Sequence, residues 1–252
     1  MKVAYIHGLL TGDISAWRDR NGIVKVQVCT THPAMERLFI ETFLPLSSSG
    51  NVYKYPESTK MPRPGGYESG YEWRLRIHID RPYRELILML KKNPKPQYAE
   101  GDLELLAAYT AGFSDSDGSW EPKTLYGSFE FRIINSNKEL LEYLQKLWRK
   151  YDINFRITIH TRKGKGKRRI YKRDVWLLAV SRKEDLLRIT KIVGKYVRHP
   201  EKIEKVTIIR KYLERKASLE QTLNNLKELK ERIKKEVQES IKQAIEELKR
   251  KS

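Results

Sequence analysis

Tyr109-Thr110-Ala111-Gly112-Phe113-Ser114-Asp115-Ser116-Asp117-Gly118-Ser119 aligns with Tyr5-Ile6-His7-Gly8-Leu9-Leu10-Thr11-Gly12-Asp13-Ile14-Ser15 at one constant spacing of 104 residues (109 − 5 and 117 − 13). Tyr, Gly, Asp and Ser recur in both stretches. Each stretch closes an apolar run of helical character, and Gly8, Ala111 and Gly112 are small enough for two helix backbones to approach closely. Helices packed in this way bring Asp13 and Asp117 together at one end. Adjacent carboxylates repel as ions and favour a divalent cation, and their oxygen ligands suit Mg²⁺, with Mn²⁺ as the alternative.

Outward from the first stretch, Ile14 to Trp17 and Ile23 to Cys29 read as a hairpin around Arg18-Asp19-Arg20-Asn21-Gly22, with Val24, Val26 and Val28 alternating against Lys25 and Gln27. Pro33 opens a helix over Ala34 to Phe43. Strands follow near Asn51–Tyr55 and Tyr71–Asp80, joined by a Pro/Gly-rich loop, and Pro82 opens a helix through Leu90. After Lys92 to Gln97 the order returns: a helix over 102–114, strands near 119–123 and 125–134, a helix over 137–150, strands over 153–162 and 169–181, and a helix over 183–197. The pattern predicts an α+β protein of two pseudo-symmetric αββαββα repeats, at residues 1–91 and 102–200, with a linker at 92–101 and a helical extension at 201–252.

Residues 111–119 closely resemble the LAGLIDADG motif, and the repeat order resembles that of the LAGLIDADG homing endonucleases, of the monomeric, two-motif type found in archaeal introns. The first motif, residues 5–15, is degenerate, with Thr11 and Ile14 in place of Asp and Gly. The resemblance implies a saddle of two four-stranded antiparallel sheets in the major groove, with the motif helices as interface and shared metal ions on Asp13 and Asp117. It implies hydrolysis of one phosphodiester per strand across the minor groove, leaving short 3′ overhangs. It also implies a polar residue at each strand-to-helix junction, near Thr31 and Ser136, and a basic residue before each closing helix, near Arg81 and Arg182. An Arg at the scissile phosphate stabilises developing negative charge.

The strands supply the binding surface. Arg74, Arg76 and His78 alternate with Trp73, Leu75, Ile77 and Ile79, while Arg156, Thr158, His160 and Arg162 alternate with Phe155, Ile157 and Ile159. One face is core and the other basic. Lys25 and Gln27 in one repeat, and Tyr126, Ser128, Glu130 and Arg132 in the other, divide in the same way, and Arg18 and Arg20 flank the first hairpin turn. The loop from Arg162 to Arg169, with Lys165, Lys167 and Arg168, is glycine-rich and suited to phosphate. Arg reads guanine bidentately and Gln reads adenine, so these faces can specify bases as well as grip phosphates.

Composition sets the partner class. The 252 residues carry 51 Lys+Arg against 32 Asp+Glu, a net charge of +19, which calls for an anionic partner; duplex DNA leads because phosphate neutralisation releases counterions. No apolar run spans a bilayer and no signal-peptide pattern begins at Met1. The single Cys29 excludes a disulfide framework and a Cys-based zinc cluster, and predicts a soluble, intracellular protein, cytoplasmic in a prokaryotic or archaeal source. Walker A and dinucleotide glycine motifs are absent, and the five His lack paired ligand spacing. Residues 218–252 read as one charged helix whose stripe, from Leu219 through Leu226 and Ile241 to Leu248, packs either back on the body or against a second chain. Two motifs in one chain predict a monomer. Three functions remain open on this fold: a metal-dependent endonuclease, an intron RNA maturase, and a catalytically inert DNA-binding regulator.

Overall fold

In the computed structural model, the two apolar stretches are helices α1 (Lys2–Thr11) and α4 (Leu103–Asp117), and they pack backbone to backbone. A Cβ placed on Gly8 would lie 2.0 Å from the Tyr109 carbonyl oxygen, and one on Gly112 would lie 2.0 Å from that of Tyr5. The contact is reciprocal, because Gly8 and Gly112 occupy the same place in the two repeats. The structure describes all residues except 64, 65, 125, 126, 166–170 and 252, and no side chain of 59–63, 66–69, 124 or 251 is described.

Each motif helix leads into an antiparallel sheet. The first is β1 (Ser15–Arg18), β2 (Val24–Thr30), β3 (Val52–Arg63) and β4 (Gly66–Ile79), in the order β1-β2-β4-β3. The second, β5 (Gly118–Thr124), β6 (Ser128–Asn135), β7 (Arg156–Thr161) and β8 (Val175–Val180), repeats that order as β5-β6-β8-β7. One face of each sheet is buried: Val24, Val26, Val28, Leu75 and Ile77 in the first, Phe129, Phe131, Ile133 and Leu178 in the second. Helices α2 (Pro33–Phe43), α3 (Arg81–Lys92), α5 (Lys138–Arg149) and α6 (Lys183–Ile192) complete the two repeats. Pro at the first turn starts α2 and α3, while the Asn137 side chain caps α5.

Several boundaries differ from the sequence expectation for identifiable reasons. Helix α4 runs to Asp117 rather than 114, because tertiary packing on α1 holds its last turn. Strands β3 and β4 extend well into the Pro/Gly-rich segment; Pro56 and Pro62 are tolerated because β3 is an edge strand. Strands β7 and β8 are shorter than their apolar alternation.

The extension comprises two helices. Pro200 starts α7 (Pro200–Leu213), and α8 (Leu219–Lys251) follows after a break. Helix α8 folds back on the body: Trp73 Nε1 donates to the Ser240 carbonyl at 3.1 Å, and Leu226, Leu229 and Ala244 are buried. The apolar stripe is thereby used within the chain.

Candidate active site and nucleic-acid interface

The motif helices end side by side, and four polar ties fix that end. Tyr5 donates to Asp115 Oδ2 at 2.6 Å, and Tyr109 Oη lies 3.0 Å from Thr11 Oγ1 at the equivalent place. Thr11 thus occupies the motif's Asp position as a hydrogen-bond partner only. Asp115 also accepts the backbone N–H groups of Arg198 and His199, at 2.7 and 3.1 Å, which anchors the lead into α7. Burial raises the pKa of Asp115, so this carboxyl is a structural knot rather than a solvent-facing group.

Asp117 is the last residue of α4, and Asp13 lies two residues past the end of α1. Gly12 brings the chains close, since a Cβ there would meet Asp117 Oδ1 at 3.0 Å. Burial first, and then the charge of Asp13, push the Asp117 carboxyl up to about 7. The two carboxylates therefore share one site, as the 104-residue spacing implies. Asn135, at the end of β6, donates to Asp117 Oδ2 at 2.9 Å. The neighbouring Ser136, expected at this junction, is exposed, so the polar partner of Asp117 is the residue before it. Thr31 lies between β2 and α2, half-buried.

The cations beside the pair are also different residues from those expected. Lys91 Nζ donates to the carbonyls of Leu10 at 2.7 Å and Ile14 at 2.8 Å, closing the end of α1. Lys202 Nζ donates to the carbonyls of Ser114 at 2.5 Å and Asp115 at 2.8 Å, closing the end of α4. Both ammonium groups thus sit at the negative ends of helix dipoles. Burial lowers the pKa of each, that of Lys202 to about 8, while Asp13 and Asp117 act in the opposite direction on both. Arg81 begins α3 whereas Lys91 lies in its last turn, roughly 15 Å along the axis. Arg182 is exposed and pairs with Glu184 at 2.8 Å. Neither Arg is brought to the carboxylates. Asp13 lines a cavity of about 700 Å³ that is also walled by His32, Lys202 and, from α8, Leu223 and Leu226. His32 Nε2 lies 3.1 Å from Glu201 of α7, tying the extension to the first repeat.

Both sheets turn a polar face away from the helices. On the first, Lys25, Gln27, Arg74, Arg76 and His78 share that face, with Lys25 opposite His78 and Gln27 opposite Arg76. On the second it carries Ser128, Glu130 and Arg132 of β6 and Arg156 and Thr158 of β7, with His160 exposed at the register shift that follows Ile159. Glu130 is buried against Arg156, and Arg132 donates to Ser119 at 2.7 Å. Arg18 departs from expectation: it shares the parity of Ala16, faces the helices and pairs with Glu85 of α3. Arg20, Arg162 and Lys165 are exposed, whereas Tyr126, Lys167, Arg168 and Arg169 lie outside the described residues. His7 is buried, with Nε2 2.8 Å from the Asn93 carbonyl and Nδ1 3.0 Å from Tyr98. Among the described residues no helix is long and apolar enough to cross a membrane.

Residues 104–194 match the family model of the LAGLIDADG-like domain. No curated protein sequence matches the chain. Among solved structures, the homing endonuclease I-WcaI bound to its DNA recognition sequence has a TM-score of 0.55 at 16% identity, covering 82% of this chain and 86% of that one. I-DmoI in complex with DNA and Ca gives a TM-score of 0.48 at 17% identity, over 79% of this chain and 93% of the other. The LAGLIDADG meganuclease I-AabMI bound to uncleaved DNA gives 0.47 at 12%, over 91% and 98%. Residues 104–194 are a LAGLIDADG-like domain, and the chain has the fold of the LAGLIDADG homing endonucleases.

Proposed function

We propose that this protein is a site-specific homing endonuclease that hydrolyses both strands of a long, asymmetric DNA duplex at the Asp13–Asp117 pair. The observation that carries the reading is the shared carboxylate site at the foot of the paired helices, flanked by two polar sheet faces on a chain of net charge +19. A solitary structural Asp at a helix end has no reason to face a second one. The donor set fits a hard divalent cation: two carboxylates whose mutual repulsion a cation relieves, with the Asn135 side-chain amide beside them. Asp13 and Asp117 would hold Mg²⁺ or Mn²⁺, which when bound neutralises charge on the phosphate and lowers the pKa of water.

The chain's own residues set up that chemistry. Asn135 fixes the orientation of Asp117, and Gly12 leaves the Asp117 carboxylate and the Ser116 side chain room at the helix end. Lys91 and Lys202 hold positive charge beside them and cap the helix carbonyls that would otherwise repel a phosphate. Hydrolysis adds water to phosphorus and breaks the P–O3′ bond, giving a 5′-phosphate and a 3′-hydroxyl on each strand. The two sheets would grip the groove on either side of the cut.

The direct test selects cleaved sequences from a randomised duplex library with the full-length protein and Mg²⁺. Recovery of one asymmetric site, cut on both strands, is expected; recovery of none would overturn the reading. Binding to that site, measured without cleavage, should fall by at least about 10³-fold between 50 and 200 mM salt, as for six or more phosphate contacts. A nearly flat salt dependence would contradict the proposed interface. Sedimentation on the same duplex should give one chain per site, because Asp13 and Asp117 come from one chain and the stripe of α8 is used internally. Two chains per site would refute the monomer.

A further inference from the structure

Gln27 and Arg76 sit directly opposite each other on the polar face of the first sheet, and the side chains are locked together. Arg76 donates to Gln27 Oε1 twice, from Nη2 at 3.0 Å and Nε at 3.3 Å, and its Nη2 also donates to Tyr55 Oη at 3.1 Å. Its guanidinium lies over the Trp17 ring, 5.4 Å from the centroid, and 5.9 Å from that of Tyr55. The aromatic pair restrains the guanidinium plane.

The donor inventory decides what such a unit can read. A guanidinium has five N–H groups and no acceptor, so the Gln27 atom facing Arg76 must be the carbonyl oxygen. Three Arg76 donors are thereby used, and the two on Nη1 remain. The Gln27 carbonyl is taken, leaving its amide N–H groups, whose nearest partner is Cys29 Sγ at a long 3.8 Å. The pair therefore offers hydrogen-bond donors and no acceptor. Adenine in the major groove presents N7 as acceptor and N6–H₂ as donor, so a glutamine that reads it must supply its carbonyl. Guanine presents two acceptors, N7 and O6.

We propose that Gln27 and Arg76 act as one guanine-reading unit in the first half-site, and that Gln27 is not an adenine reader. This rests on the proposed binding of duplex DNA along the sheet faces. The unit combines one amide donor and one guanidinium donor, where a lone arginine uses two of its own.

The experiment is binding-site selection from a randomised duplex library with the full-length protein in metal-free buffer, repeated for Gln27→Ala, Arg76→Ala and Arg76→Lys. The wild type should enrich a position for guanine, and all three variants should lose discrimination at that same position by roughly tenfold or more. Arg76→Lys keeps the charge but loses the fork, so its overall affinity and salt slope should change little while the base preference fades. Melting curves identify any variant that fails to fold, and Arg76→Lys then carries the test. Enrichment of adenine at a position relaxed only by Gln27→Ala would overturn the inference, as would relaxation of separate positions by the Gln27 and Arg76 variants. If the wild type enriches no sequence at all, the DNA reading itself fails and this inference with it.

Discussion

Asp117→Asn is expected to reduce cleavage by at least about 10²-fold and, in metal-free buffer near neutral pH, to make the protein more stable. The two effects share one cause. Burial and the neighbouring Asp13 raise the Asp117 carboxyl to about 7 from a value of 3.8. The folded state therefore binds its proton more tightly than the unfolded chain does. As pH rises through 3.8 the unfolded chain begins to release that proton, and the folded state is penalised increasingly until the carboxyl also ionises near 7. Asparagine cannot ionise, so the melting temperature of the variant should exceed that of the wild type by a margin that opens between pH 4 and 7 and is constant above. Mg²⁺ should narrow the margin by stabilising the wild type alone, more effectively at pH 7 than at pH 5, because the cation displaces the proton. Thermal melts across pH, with and without Mg²⁺, check the stability effects, and a cleavage assay checks the loss of activity. Equal melting temperatures at all pH values, or undiminished cleavage by the variant, would remove Asp117 from the proposed centre.

The Asp pair was legible in the sequence because it is carried by an internal repeat, and a repeat fixes both residue type and place. Its surroundings were less so. Arg81 and Lys91 are both cations on α3, and composition along a helix does not say which end meets the active site. That depends on how α3 lies across α1, a tertiary matter settled by the carbonyls of Leu10 and Ile14. Lys202 belongs to a segment beyond the repeat, where no internal copy guides the reading. The displacement from Ser136 to Asn135 is one residue, within which a strand end reverses side-chain direction. Arg18 was readable in principle: it stands four residues from buried Ile14 and two from Ala16, and strand alternation puts all three on one side. Its charge suggests the polar face, whereas the structure holds it on the helix side, where Glu85 receives it. The coupling of Gln27 to Arg76 needs the pairing register between strands almost fifty residues apart, which no local pattern encodes.

Gly112→Ala is expected to produce a large loss of stability, matched among methyl additions at the glycines of the motif helices by Gly8→Ala. The added carbon would stand 2.0 Å from the Tyr5 carbonyl oxygen and 3.0 Å from the Leu9 amide nitrogen, and both atoms belong to a helix backbone that cannot rotate aside. The helices would have to separate, and the ties of Tyr5 to Asp115 and of Tyr109 to Thr11 would stretch with them. Overpacking of a fitted contact costs about 1–3 kcal/mol, and a backbone clash belongs at or beyond the upper end, which lowers the melting temperature by roughly 6–12 °C in a chain of this size. Because the same contact sets the spacing of Asp13 and Asp117, the residual folded protein should cut more slowly than its folded fraction predicts. Gly8→Ala should behave alike, since its Cβ would meet the Tyr109 carbonyl at 2.0 Å, whereas Gly22→Ala is a useful contrast: its Cβ meets nothing within 4 Å and only the positive φ of 75° is strained. Thermal melts and cleavage per folded molecule, measured on all three variants, give the comparison. Similar losses from Gly22→Ala and Gly112→Ala would mean that the helix pair yields to a methyl group and that close backbone packing does not hold the carboxylates in place.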